Sequence, residues 1–318
     1  MFTFRKFLFV LGTFCALLLV IGCGQKTSGH KNYLDSSTRS ANTHHFGDLK
    51  TMNPDDGDDD GDGGESNDDG ANNDDGNPDE IRDEMTGVQQ AAVITGKAHF
   101  TVMKMLKAGI TETGVAQKID EVYGQNSARD CFGSIVGTGP NSTDLHHSPG
   151  NIQLKNGEVV VVDIGATFNS YCSDVTRTYP VNGKFTPRQR EIYQLVLDAQ
   201  KAAVAYGKPG KTSLSDLDRF VREFFRKSSI TADGQTMDHF FSHGLGHFVG
   251  RVVHDSGDTS SPLRENDPFT LEPGLYIESE EIGVRIEDDF IMTKDGIKNL
   301  VPETPSDVDT IERLINED

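Results

Sequence analysis

The residues of this chain that could do chemistry are acids and histidines at the ends of apolar or glycine-rich segments. Residues 158–178 read EVVVVDIGATFNSYCSDVTRT, which predicts two strands that present Asp163 and Asp174. A carboxylate at the end of an apolar strand is costly to bury without a counter-charge or a cation. Two such acids point to a metal site, although this stretch alone fits equally well two turn acids that face water.

The second half of the chain offers further groups of the same kind. The sequence SHGLGH places His243 and His247 in a glycine-rich turn, and His254 follows shortly after. Glu272 precedes a Pro-Gly pair, and Glu287 lies in GVRIEDD at the expected end of a strand. Taken singly, each of these histidines and acids could serve only in a turn or in packing. The ordered series of acids and imidazoles is much harder to explain by turns alone.

Helical periodicity predicts the elements that must hold these residues. A first helix is expected to end near Gly109, and a second to run from about Glu112 to Gly124. A capping box at residues 186–189 begins a third helix, and a fourth follows Ser213. Strand-like segments follow each helix pair. The repetition predicts an α+β domain with internal pseudo-twofold symmetry, although the halves share no detectable sequence identity.

The beginning of the chain is typical of an export signal. Residues 1–23 carry Arg5 and Lys6 before an apolar run that is too short for a comfortable membrane span. The run ends in VIGC, which resembles a bacterial lipobox, so Cys23 would become the lipidated first residue of the mature chain. An ordinary signal with a coincidental cysteine is the alternative. By the same resemblance, Gly24 favours the outer membrane if the cell has one.

Residues 24–79 are expected to form a disordered tether between the signal and the folded domain. Residues 55–80 are mostly Asp, Gly and Asn, and they contain no Lys or Arg. Such a segment cannot bury enough apolar surface to offset its conformational entropy. Most of the net charge of −20 belongs to residues 55–80, and so acidity of the chain as a whole disfavours nucleic acid as a partner. The sequence does not predict an oligomeric state.

Two cysteines remain for the folded domain. Cys15 would leave with the signal and Cys23 would carry lipid, which leaves Cys131 and Cys172. Disulfides form in the compartments that exported proteins reach. The sequence leaves open whether these two cysteines approach each other.

From about residue 80 to residue 318 the chain resembles the pita-bread metallopeptidases, the superfamily of methionine aminopeptidase, aminopeptidase P and prolidase. The resemblance rests on the segments DLHH, VVDIGA, YCSDVTRT, NGKFTPRQREIYQLVL, HGLGHFVGRVVHD, LEPGLYI and GVRIEDD. The form HGxGHxxGxxVHD is closer to the Xaa-Pro peptidases than to the methionine enzymes. The resemblance to this superfamily implies an α+β pita-bread (creatinase/aminopeptidase) fold. It also implies five metal ligands: Asp163, Asp174, His247, Glu272 and Glu287.

The implied ligand set favours two divalent metal ions. Four carboxylates and one neutral imidazole carry a formal charge of −4, so one divalent ion leaves −2 and two ions reach neutrality. Oxygen-rich ligation with one imidazole suits manganese, with cobalt, iron or zinc as alternatives. The resemblance also implies manganese. It further implies that Asp174 and Glu287 bridge the ions, with Asp163 on one ion and His247 and Glu272 on the other.

The implied chemistry is metal-assisted hydrolysis of an N-terminal peptide bond, in which cations activate water and polarise the scissile carbonyl. Glu272 is the expected proton relay. By the resemblance, His146, His243 and His254 line the substrate side and contact the peptide. Structural packing is the alternative role for each of these three histidines.

Departures from the superfamily leave proline specificity open. Aminopeptidase P and prolidase usually carry an extra N-terminal domain that helps to shape the substrate site and the oligomer. His147 stands where the proline enzymes commonly have Tyr, and Arg251 stands where an apolar residue is usual. We therefore expect a surface-anchored Xaa-Pro aminopeptidase that acts on peptides. The alternatives are a methionine aminopeptidase-like or prolidase-like peptidase, and a non-catalytic peptide-binding lipoprotein.

Overall fold

The computed structural model describes residues 78–317, with side chains from residue 86 onward. The expected signal with its lipobox Cys23, and the expected tether up to residue 77, lie outside the described residues. The helices of the described part are Pro78–Met105 (α1), Glu112–Gln125 (α2), Pro187–Tyr206 (α3), Leu214–Arg226 (α4) and Val308–Asn316 (α5). Its strands are Arg129–Asp130 (β1), Ile135–Thr138 (β2), Val159–Ile164 (β3), Ala166–Phe168 (β4), Tyr171–Cys172 (β5), Val175–Pro180 (β6), Thr231–Ala232 (β7), Gln235–Thr236 (β8), Pro268–Leu271 (β9), Gly274–Ile277 (β10), Ile282–Arg285 (β11), Asp288–Thr293 (β12) and Gly296–Asn299 (β13).

The first two helices follow the predicted order, but α1 ends earlier than its periodicity suggests. It stops at Met105, and Gly109 does not cap it. Gly109 instead adopts a φ of 92°, and its N–H donates to the carbonyl oxygen of Leu154 over 2.9 Å. Thr111 then caps α2, because its hydroxyl oxygen accepts from the Gly114 N–H. Gly109 therefore turns the chain from one helix into the next.

The helices of the second half begin with complete capping boxes. Thr186 and Gln189 exchange side-chain and backbone hydrogen bonds at the start of α3, as the sequence predicts. Ser213 and Asp216 do the same for α4. Each pair satisfies two backbone N–H groups that have no intrahelical partner. The chain therefore fixes where both helices begin.

Three-stranded antiparallel sheets follow both helix pairs. In the first half, β3 lies between β2 and β6, and Asp163 is opposite Ile135 and Thr176. In the second half, β12 lies between β9 and β13, and β10 pairs with β11. All six residues of β3 are buried, which agrees with its run of valines. The repeated order of helix pair and sheet confirms the predicted α+β class.

Hydrogen bonds join the two halves at a seam between β6 and residues 285–287, which are the end of β11 and the two residues after it. Thr176 and Glu287 exchange backbone hydrogen bonds of 3.3 and 3.0 Å. Thr178 and Arg285 exchange another pair through the threonine hydroxyl, at 3.1 and 3.0 Å. All four residues are buried. We name these four residues the seam, and it brings residues of both halves to one place.

Among the described helices, none combines the length and the apolar character that crossing a membrane requires.

Cys131 and Cys172 form a disulfide, which answers the question that the sequence left open. Cys131 follows β1, and Cys172 ends β5; both strands pair with β4. The Cys172 N–H also donates to the Gly250 carbonyl oxygen over 2.7 Å. The disulfide joins β1 to β5, and the hydrogen bond ties β5 to the segment around Gly250.

Replacing both cysteines with serine is expected to destabilise the protein by about 2–4 kcal/mol, because the bridge closes a long loop of the unfolded chain. The two cysteines are 41 residues apart. Urea unfolding of the variant and of the wild type, each with and without dithiothreitol, measures the effect. Reductant should lower the stability of the wild type alone. Equal stability of the oxidised wild type and the variant would contradict the prediction.

Candidate metal centre

The five expected metal ligands lie around one cavity of about 590 Å³. Asp163 belongs to β3, and Asp174 immediately precedes β6. The other three come from the second half: His247 from a loop, Glu272 from the turn after β9, and Glu287 from the turn after β11. The seam places the two groups side by side. The structure therefore brings all five residues together, although they span more than a hundred positions of sequence.

Three of the carboxylates each present a buried oxygen that has no partner. These atoms are Oδ1 of Asp163, Oδ1 of Asp174 and Oε1 of Glu287. The other oxygen of Asp163 accepts from the Arg285 guanidinium over 2.7 Å, and that of Glu287 accepts from the Thr176 hydroxyl over 2.7 Å. Leaving a buried charged oxygen without a partner costs several kcal/mol. The unpartnered oxygens therefore fit a cation.

The hydrogen bonds of His247 prepare it for metal ligation. Its Nδ1 lies 3.1 Å from the Phe248 carbonyl oxygen, which can only accept, so Nδ1 carries the proton. Nε2 is then unprotonated, 3.5 Å from Asp174 Oδ2 and 3.7 Å from Glu272 Oε1. Burial lowers the pKa of His247 to about 4, which keeps the ring neutral. A backbone acceptor on the far nitrogen is typical of metal-bound histidine.

A compact group of donor atoms lies at the centre of the site. Asp174, His247 and Glu287 each offer a ligand atom, and these atoms all lie within 4.8 Å of one another. Burial, followed by the charges of neighbouring carboxylates, raises the pKa of Asp174 and of Glu287 well above its usual range. Burial likewise raises the pKa of Glu272 to about 8. Glu272 of the metal-free cluster therefore retains its proton at neutral pH, and a bound cation would displace it.

A hydrogen-bonded chain runs from Asp163 to His243. Arg285 bonds Asp163 with one nitrogen and donates with another to the Tyr276 hydroxyl oxygen over 2.8 Å. The Tyr276 oxygen lies 2.8 Å from His243 Nε2, while His243 Nδ1 faces the Gly244 carbonyl oxygen at 2.8 Å. The pattern assigns the His243 proton to Nδ1, so Tyr276 donates to Nε2. Burial lowers the pKa of His243 to about 4, consistent with a neutral ring.

The remaining two expected catalytic histidines line the cavity without such support. His146 and His254 are both exposed, and neither imidazole has a hydrogen-bond partner among the described residues. The His254 ring meets that of His247 edge-on, with the ring centroids 4.3 Å apart. Both imidazoles are therefore available to a molecule in the cavity.

Comparison with known proteins agrees with this geometry. The sequence profile of metallopeptidase family M24 matches residues 86–294. The chain belongs to family M24. The structure of zinc-substituted aminopeptidase P of Escherichia coli in complex with product is similar, with a TM-score of 0.68 at 32% identity. The matched region covers 73% of this chain and 58% of the Escherichia coli chain. These likenesses confirm the expected pita-bread fold.

Two curated M24 relatives show the same range of similarity. A Xaa-Pro aminopeptidase of Haemophilus influenzae is 35% identical over 263 residues, which cover 76% of this chain and 60% of the relative. A Xaa-Pro dipeptidase of Pyrococcus furiosus is 35% identical over 224 residues, covering 69% of this chain and 62% of the relative. The chain spans about three-fifths of the length of the relatives it matches.

Several residues that support this M24 site were missed by the sequence reasoning. Asp289 accepts the Asp174 N–H with both carboxylate oxygens, at 3.1 and 3.2 Å, and so holds a ligand by its backbone. Arg177 pairs with buried Asp288 at 2.5 Å and donates to the Glu287 carbonyl oxygen over 2.6 Å. These residues, like Arg285 and Tyr276, lie inside the motifs that carry the resemblance. The signal that could have identified them is the presence of further acids and arginines within three residues of an expected metal ligand in the sequence.

The metal-free protein is expected to lose stability as the pH rises from 6.5 to 8.5. Glu272 has a pKa of about 8 in the folded protein against 4.5 ordinarily, so its contribution is complete below pH 4.5 and is lost as the pH rises through 8. The lowered pKa values of His243 and His247 act in the opposite sense, but only below about pH 6.5. Each carboxyl with a raised pKa lowers the free energy of unfolding by up to about 1.4 kcal/mol per pH unit.

Urea unfolding in EDTA at each pH measures this slope. Asp174→Asn should reduce it, because one buried acid is removed, whereas Asp198→Asn on the exposed face of α3 should not change it. Saturating Mn²⁺ should abolish the loss of stability. A flat or rising free energy of unfolding in EDTA over this range would contradict the account.

Proposed function

We propose that this chain is a dinuclear metal-dependent aminopeptidase that hydrolyses N-terminal peptide bonds, with Xaa-Pro peptides as its substrates. The observation that carries the proposal is the set of unpartnered buried oxygens on Asp163, Asp174 and Glu287 beside the neutral ring of His247. The relatives named Xaa-Pro aminopeptidase and Xaa-Pro dipeptidase support the same activity. The presence of all five ligands favours catalysis over a binding role.

The charge of the site favours two ions. The four carboxylates and neutral His247 sum to −4, which two divalent ions neutralise. Arg285 offsets part of the charge on Asp163 through Oδ2. It makes no hydrogen bond to the unpartnered oxygens of Asp163, Asp174 and Glu287. Oxygen-rich ligation favours manganese, with cobalt, iron or zinc as alternatives. As the resemblance implies, Asp174 and Glu287 would be shared by the two ions, Asp163 would hold one of them, and His247 and Glu272 would hold the other.

Ions at this site would supply an activated water and stabilise the charge that develops on the scissile carbonyl. Glu272 is the residue best suited to move the proton. Its carboxylate faces the cavity, 3.6 Å from His243 Nδ1 and 3.7 Å from His247 Nε2. Glu272 would then pass the proton to the leaving amine.

The substrate side of the cavity suits a compact peptide. His146 and His254 offer free imidazoles there, and the ring of His243 is held in a fixed position by Tyr276. Apolar side chains complete the wall: Phe132, Ile135, Leu145 and Val253. An apolar wall beside a few polar groups suits an apolar residue such as proline.

We also propose that the protein is anchored by lipid on Cys23 at the bacterial cell envelope, in the outer membrane if one is present. The apolar run before VIGC supports export. The disulfide between Cys131 and Cys172 supports an oxidising location, because such bridges are rare in the cytosol.

The function is tested with full-length protein loaded with Mn²⁺ and offered Xaa-Pro-Yaa, Xaa-Pro and Met-Ala-Yaa peptides. We expect cleavage of Xaa-Pro-Yaa before proline. Asp174→Ala should reduce the rate by at least about 10³-fold, since bound ions contribute several kcal/mol to catalysis. The control Asp198→Asn should retain the rate of the wild type.

The other outcomes separate the alternatives. Cleavage of Met-Ala-Yaa alone would exclude proline specificity, and cleavage of Xaa-Pro alone would indicate a dipeptidase. Peptide binding without turnover of any substrate would favour the binding lipoprotein.

A further inference from the structure

The cavity residue His146 depends on its loop for its position. It lies in the segment 139–152 between β2 and β3, and no described residue hydrogen-bonds to its imidazole. Its backbone N–H donates to Asp144 Oδ1 over 3.2 Å, which is a contact within the same loop. A group that must meet a substrate needs a fixed location. That location must come from what holds the loop.

The carboxylate of Glu112 holds this loop from both ends. Glu112 is the first residue of α2 and has no exposed surface. Its Oε1 accepts from the Thr138 N–H at 3.0 Å and from Asn141 Nδ2 at 2.9 Å. Its Oε2 accepts from the Gly150 N–H at 3.0 Å and lies 2.9 Å from His147 Nε2. A single buried group therefore contacts Thr138 at the end of β2, and Asn141, His147 and Gly150 within the segment.

Glu112 is well placed to act as an anion. Burial tends to raise its pKa, but the bonds from Asn141, His147, Thr138 and Gly150 outweigh burial and lower it. The position at the helix N-terminus favours a negative charge as well. Glu112 lies outside the set of five metal ligands, so its charge is not explained by the metal centre.

His147 is the partner of Glu112 that bears most directly on His146, because it is the next residue in the chain. Thr138, Asn141 and Gly150 fix the ends of the loop, whereas the His147 imidazole fixes its middle. The His147 side chain is 18% exposed and its partner is fully buried, so the bond is largely shielded from water. Losing it would leave a buried carboxylate oxygen with one partner fewer.

We propose that the bond between Glu112 and His147 positions His146 against the peptide, which makes His147 a positioning residue for turnover. The inference rests on the proposed peptidase function. His147 does not touch the reacting atoms. It acts by restricting the backbone on which His146 is carried.

A double-mutant cycle tests this in the full-length, Mn²⁺-loaded protein. His147→Phe keeps a planar ring but removes the nitrogen that bonds Glu112. We expect kcat/KM for a Xaa-Pro-Yaa peptide to fall about 10–100-fold, the usual range for residues that orient a functional side chain. In a His146→Ala background the same substitution should cost less than about 3-fold, since the group it positions is absent. His147→Gln, which restores an N–H donor, should recover part of the loss.

The exposed His239 provides a matched control, because His239→Phe makes the same change outside the cavity and should leave kcat/KM unchanged. Equal losses from His147→Phe in both backgrounds would overturn the proposal, since His147 would then act other than through His146. An unchanged kcat/KM for His147→Phe in the wild-type background would overturn it too.

Hydrogen exchange gives a second readout that does not depend on turnover. Amides of residues 144–148 should exchange at least about 10-fold faster in His147→Phe than in the wild type, while those of β3 keep their protection. If the wild type cleaves no peptide, the proposed function fails, and exchange still decides whether the bond orders the loop. Unchanged exchange in residues 144–148 would contradict the inference.

Discussion

The placement of three buried carboxylates and the partly buried Glu272 around one cavity is the constraint on which the rest of this structure depends. Protein groups satisfy only part of it: Arg285 neutralises one oxygen of Asp163, and the Thr176 hydroxyl serves one oxygen of Glu287. The buried oxygens Oδ1 of Asp163, Oδ1 of Asp174 and Oε1 of Glu287 remain without partners. Cations at this site would offset the electrostatic cost of burying these acids, so metal binding would also stabilise the folded domain.

The seam explains why the site exists only in the folded domain. Thr176 and Glu287 bond each other through their backbones, and the Thr176 hydroxyl also bonds the Glu287 carboxylate. One contact thus joins the two halves and orients a ligand. Because ligands come from both sides of this contact, metal binding would stabilise the association of the halves. Asp163 lies in a strand, and Asp174, Glu272 and Glu287 each lie directly beside one, so the paired backbones help to position these three acids and Asp163.

Much of this arrangement could be predicted from local sequence, but its long-range contacts could not. The valine run before Asp163 and the capping box at Thr186 depend on neighbouring residues, and the structure has both elements where the sequence places them. The disulfide, and the bonds from Arg285 to Asp163 and from Glu112 to His147, join distant residues. The end of α1 was missed for the same reason, since Gly109 bonds Leu154 rather than the helix. Side-chain partners of this kind depend on the whole fold.

The number of Mn²⁺ ions bound tightly per chain is the most direct test of the account. Calorimetric titration of EDTA-treated full-length protein, with elemental analysis after dialysis, measures this number. Asp174→Asn and Asp198→Asn, measured in parallel, separate the cavity from weak binding by the acidic N-terminal segment. The account predicts two tightly bound ions in the wild type and in Asp198→Asn, and fewer in Asp174→Asn. Equal numbers in the wild type and in Asp174→Asn, or no tightly bound ion in the wild type, would contradict it.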